Sequence, residues 1–141
     1  MAFRATITAV LTVRDAARAV EFYRAGLGAQ EIYRNTYPDG RIVAEMAVEG
    51  ARFRVADEAP EAANLGPQAL GGTSVRLNLL VTDPDGVAER AVTHGAEQIA
   101  PVADQAYGLR QGRVADPFGH HWLIGRPLEA PEGDWARDPG R

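Results

Sequence analysis

The feature that most constrains this chain is that it contains one short pattern twice. Val13 and Asp15 reappear 68 positions later as Val81 and Asp83, and Gly28, Ala29 and Ile32 reappear 67 positions later as Gly95, Ala96 and Ile99. Gly40 matches Gly108 at an offset of 68, and Gly50 matches Gly119 at 69. A register that drifts so little through successive turns marks an internal duplication, so the fold must place two copies of one small unit.

The unit can be read from the first copy. Thr6 to Val13 is rich in β-branched residues and partly alternating, which predicts a strand. Asp15 stands where an N-cap accepts backbone N–H groups, and Ala16, Ala19, Val20, Phe22 and Tyr23 follow at helical spacing until Gly26 and Gly28. Gln30 to Tyr37, Arg41 to Val48 and Ala51 to Asp57 read as three strands, joined by turns at Pro38-Asp39-Gly40 and Glu49-Gly50.

The same order restarts after an irregular stretch rich in Ala, Pro and Gly. Ser74 to Val81 predicts a strand, Asp83 caps a helix running to about His94, and strands follow over Ala96 to Ala103, Leu109 to Ala115 and His120 to Gly125. The expected organisation is a first βαβββ module at 1–57, a linker at 58–72, a second module at 73–126 and a tail at 127–141 that holds Trp135.

Composition removes several classes of function. With 45% hydrophobic and 24% charged residues over 141 positions the chain can bury a core. The net charge of -4 supplies no basic field for nucleic acid or an anionic membrane. Cysteine is absent, which excludes disulfides, thiolate nucleophiles and thiolate zinc sites. No apolar run suits a signal peptide or a membrane span, so the expected location is the cytoplasm. Glu58 and Glu61 sit in the linker and read as solvated charge, and no phosphate-binding loop, nucleophile elbow or zinc-helix motif is present.

Two tandem βαβββ modules, a Val-x-Asp junction between strand and helix, the pairs Phe22-Tyr23 and Leu27-Gly28, and the run Asp116-Pro117-Phe118-Gly119-His120-His121-Trp122 resemble the vicinal oxygen chelate superfamily. That superfamily includes glyoxalase I, extradiol dioxygenases and bleomycin-resistance proteins, and the late run looks most like its PhnB-like branch. The resemblance covers about Ile7 to Arg126. It implies an α+β fold in which each module is a curved four-stranded sheet and paired modules form a cup, with the chains of a homodimer often completing each other's cups.

The resemblance also implies where a metal would bind: one ligand from each of four strands, in the pattern His or Gln, Glu, His, Glu. Carried over, those positions are Thr8, Glu45, Arg76 and Leu123. Only Glu45 is a usual divalent ligand, and a guanidinium repels a cation. The expectation is therefore no metal, since a catalytic centre needs about three protein ligands. The histidines agree: His94 closes a helix, while His120 and His121 are adjacent and in a strand point to opposite faces, so packing beside Trp122 is their plain reading.

The cup is expected to hold an organic molecule instead. Glu45 and Arg76 would form an ion pair inside it, and the guanidinium would favour an anionic or hydrogen-bonding ligand; the plain alternative is two surface charges that never meet. Asn78 shares the face of Arg76. Tyr107, Arg110 and Gln105 would line the rim, against turn chemistry and a solvated arginine as the alternative. Tyr33, Tyr37 and Phe53 are better read as core than as pocket wall, and Phe22 and Tyr23 as core. Glu45 is a weak candidate for a general base.

These readings give a metal-free, glyoxalase/bleomycin-resistance-like protein that binds a small molecule, with a drug-sequestering role and Thr8, Glu45, Arg76, Asn78, Tyr107, Arg110 and Leu123 as its ligand-binding set. The alternative is a metal-dependent lyase, isomerase or extradiol-type dioxygenase of the same fold, using a divalent metal through a different strand register. A module that only mediates interactions is the third class.

Overall fold

The computed structural model describes residues 2–128. Met1 and the expected tail from residue 129 onward, Trp135 included, lie outside the described residues. The first module consists of β1 (Val10–Val13), α1 (Ala16–Leu27), β2 (Gln30–Thr36), β3 (Ile42–Val48) and β4 (Ala51–Asp57). The second consists of β5 (Arg76–Leu80), α3 (Pro84–Thr93), β6 (Glu97–Asp104), β7 (Leu109–Ala115) and β8 (His121–Pro127). The connecting stretch, expected to be irregular, holds a 3-10 turn at Pro60–Ala62 and a single-turn helix α2 (Pro67–Leu70).

The duplication is visible in the hydrogen bonding. The sheets run in the orders β1-β4-β3-β2 and β5-β8-β7-β6, with β1 parallel to β4, β5 parallel to β8, and the other pairs antiparallel. Equivalent hairpins turn on equivalent glycines: Gly40 and Gly108 have φ of 89° and 91°, and Gly50 and Gly119 have 85° and 92°. Side chains rarely adopt this left-handed conformation, which is why glycine recurs at each offset. Glu49 precedes Gly50 at a φ of 48°, so the β3–β4 turn is a two-residue connection with both central residues left-handed, the geometry that matches strand twist.

Each helix covers one face of its own sheet, and the two helices pack on each other. In the first sheet Leu11, Val13, Ala44, Met46, Val48, Phe53 and Val55 point to the helix side; in the second, Leu79, Val114, Trp122 and Ile124 do so. One core therefore runs through both modules. Its centre is aromatic: Tyr23 lies 5.2 Å from Phe53 and 5.6 Å from Trp122 between ring centroids, in tilted or edge-on geometry. Asp15 caps α1 by accepting from the Arg18 amide at 3.1 Å, and at the other end Arg90 of α3 donates to the Ala25 carbonyl, closing the helix across the module boundary.

Three expectations fail for one reason, the lack of a covering partner. The strand predicted over Thr6 to Val13 forms only from Val10, because β4 ends its ladder with the bond from the Arg54 amide to the Ala9 carbonyl. Upstream, Phe3 and Ile7 are 92% and 102% exposed. Tyr33 and Tyr37, read as core, are at the surface, whereas Phe53 is buried as expected.

Candidate functional site

The helices cover one face of each sheet and leave the opposite face open. On the first sheet Glu45 points to this face and is only 6% exposed. It is covered by arginines on β4: Arg52 Nη1 lies 2.7 Å from Oε2 and Arg54 Nε 3.1 Å from Oε1. The turn sets this pairing. A two-residue connection puts Val48 opposite Ala51, and stepping outward brings Glu45 opposite Arg54 and Ala47 opposite Arg52. The Arg54 guanidinium, joined by Arg52, holds the Glu45 carboxyl below its usual range in spite of the opposing effect of burial. Tyr33 lies beside Glu45 on β2.

Within one chain Glu45 and Arg76 do not pair. Arg76 lies on β5, in the other sheet, and makes no salt bridge among the described residues. Arg52 and Arg54 carry no motif, yet the Glu49-Gly50 turn and a count along each strand place them opposite Ala47 and Glu45.

The open face of the second sheet is also polar. Register places Arg76 beside His121 and Asn78 beside Leu123. Arg113 of β7 donates through Nε to His121 Nδ1 at 3.1 Å. Gln111, itself buried, accepts the Tyr107 hydroxyl at 2.6 Å, its side-chain amide lies 3.5 Å from Asn78 Oδ1, and Gln105 donates to its carbonyl at 3.0 Å. Asn78, Tyr107 and Gln105 thus meet through Gln111, a residue that sequence reading passed over. Arg110 does not join them. It alternates to the helix side, where it holds Asp85 at the start of α3 at 2.7 Å and Asp104 at 2.9 Å. Thr8 lies in the exposed arm before β1.

The four positions carried over for a metal do not fit one. Thr8, Arg76 and Leu123 are poor or impossible donors, and both oxygens of Glu45 are engaged by guanidinium groups. Among the described residues no three His, Cys, Asp or Glu side chains of one chain converge as a metal centre would require. The other histidines are placed elsewhere: His120 Nε2, in the turn before β8, lies 2.9 Å from the Thr12 carbonyl of β1, and His94 borders a cleft of about 760 Å³ with Arg18, Phe22 and Phe118. No helix among the described residues is long and apolar enough to cross a membrane.

An uncharacterized protein of Mycobacterium bovis is 40% identical over 122 residues, spanning 84% of this chain and 80% of that protein. The crystal structure of TioX from Micromonospora sp. ML1 is similar at a TM-score of 0.69 and 27% identity, covering 89% of this chain and all of that one. A glyoxalase/bleomycin resistance protein/dioxygenase from Nocardioides is similar at a TM-score of 0.64 and 26% identity, covering 100% of this chain and 91% of that one. Residues 6–124 match the description of the Glyoxalase/Bleomycin resistance protein/Dioxygenase superfamily, and the chain belongs to that superfamily.

Proposed function

We propose that this protein is a metal-free member of the superfamily that binds a small organic molecule in the cytoplasm, in a cup completed by two copies of the chain. The observation that carries the reading is the state of Glu45. Where the superfamily resemblance puts a metal-binding carboxylate, this chain sets two arginines against it, 2.7 and 3.1 Å away. A cation added there would have to displace both guanidinium groups and then face their charge.

The dimer is supported by surfaces that the single chain leaves uncovered. The arm before β1 has β-branched residues but no ladder partner, and β1 and β5 are edge strands of their sheets. Such edges are natural sites for strand addition. Val10, Leu65, Leu70 and Val75 are exposed and border a groove of about 480 Å³ between these two edges. Two copies related by a twofold axis would bring the first sheet of one opposite the second sheet of the other, so that both open faces line one cup.

Elemental analysis of untagged protein purified without chelator, with its mass from light scattering, tests the reading. A dimer with far less than one transition metal per chain is expected. Near-stoichiometric nickel, zinc, iron or manganese would replace it with the metal-dependent enzyme, and a monomer would remove the shared cup.

A further inference from the structure

The open face of the second sheet carries positive charge that the chain itself does not answer. Of the arginines on strands, Arg34, Arg52, Arg54 and Arg110 each hold a carboxylate, and Arg126 donates to the Thr82 carbonyl. Arg76 and Arg113 hold none among the described residues, in a chain whose net charge is -4. Both lie on the open face with His121 between them: Arg76 and His121 are register partners on neighbouring strands, and Arg113 reaches His121 from the strand beyond. The acidic side chain sharing this face, Glu97, pairs in register with Ala115 on the far strand and makes no salt bridge.

The hydrogen bond fixes what the histidine offers. Nδ1 accepts from Arg113, so the ring carries its proton on Nε2 and presents an N–H donor. Adjacent strands are about 4.8 Å apart, so the three side chains are rooted on strands within about 10 Å of each other. Two unpaired guanidinium groups this close repel each other, and an oxyanion lying over His121 would accept from all three and cancel the repulsion. Beside the cluster the face becomes uncharged: Leu123, then Asn78, Gln111 and Tyr107 joined by hydrogen bonds.

We propose that Arg76, His121 and Arg113 are the anion subsite of the cup, and that the bound molecule is an organic oxyanion whose uncharged body lies over Leu123 and the Asn78–Gln111–Tyr107 network. The inference rests on the reading of the cup as a ligand-binding site and adds the chemical class of the ligand.

Fluorescence titration of the full chain with 8-anilinonaphthalene-1-sulfonate and with uncharged N-phenyl-1-naphthylamine tests it, because the two probes share their rings and differ by the sulfonate. The sulfonate should bind at least about tenfold more tightly, and Arg76→Gln and Arg113→Gln should each remove about tenfold of that affinity while leaving the neutral probe within about twofold. Benzoate or phenylphosphonate should displace the sulfonate, and whichever competes better identifies the preferred head group. Equal affinity for both probes, sulfonate binding indifferent to Arg76→Gln, or no displacement by either competitor overturns the anion subsite. If Tyr107→Ala then weakens both probes, the binding cup itself stands; binding of neither probe overturns both. Arg76 is exposed, so its variant folds independently of what Arg113→Gln does to the sheet.

Discussion

The Tyr23 hydroxyl, on α1 of the first module, donates to the Asp116 carboxylate of the second at 2.5 Å, across 93 residues of sequence. The same oxygen accepts the Trp122 indole N–H at 3.0 Å, and the other oxygen accepts the amides of Phe118 and His120 at 2.9 and 3.0 Å. A buried carboxylate with all its capacity used is a strong tie, since every donor would otherwise be stranded away from water. It ties the β7–β8 turn of the second module to α1 of the first.

Replacing Tyr23 by Phe should destabilise the chain by about 1–3 kcal/mol, the usual cost of losing a buried hydrogen bond to a charged acceptor. Burial first, and the Asp116 charge second, raise the Tyr23 hydroxyl well above its ordinary value of 10.0. A raised value means that stability is fully present below that ordinary value and is lost as pH rises past it, because the unfolded chain ionises first. Urea midpoints should therefore fall steeply above about pH 10 in the parent protein and less steeply in Tyr23→Phe. Parallel curves for the two would contradict the assignment.

Glu45 titrates in the opposite sense. Its carboxyl is held low by Arg54 and Arg52, so its contribution is complete above the ordinary value of 4.5 and is lost as pH falls. Glu45→Gln should lie below the parent in urea midpoint at neutral pH, and the gap should close as pH falls below the ordinary value of 4.5. A gap that persists in acid would mean that packing, rather than charge, explains the burial of Glu45.

Removal of residues 2–8 tests the shared cup without touching either core. These residues precede the first ladder bond and leave Phe3 and Ile7 in solvent. At concentrations where the full chain is dimeric, light scattering should report a monomer of unchanged far-UV circular dichroism. A dimer that survives the truncation would place the interface elsewhere.

Gly125 sits where β8 passes tightly over β7: a Cβ built there would lie 2.5 Å from the Arg110 carbonyl oxygen. Backbone cannot yield as a flexible side chain can, so Gly125→Ala should cost about 1–3 kcal/mol in denaturant unfolding. Gly40→Ala instead meets no atom within 4 Å but must hold a φ of 89°, so its cost comes from backbone strain alone. A neutral Gly125→Ala would show that the two strands can separate freely.

The sequence by itself determined the repeated unit, the caps at Asp15 and Asp83, and the glycine turns, because all of these are set by neighbours a few residues apart. It also held the Glu45–Arg54 pairing, since a two-residue turn dictates which side chains stand opposite each other on a hairpin. Only the tertiary structure decided that Arg110 reaches Asp85 of α3 and that Gln111 gathers Asn78 and Tyr107. Those outcomes depend on how α1 and α3 pack and on the Tyr23–Asp116 tie, contacts between residues far apart in the chain that leave no periodicity along it. The docking of two modules minimises exposed apolar surface over the whole molecule, and no local pattern encodes which polar face that leaves open.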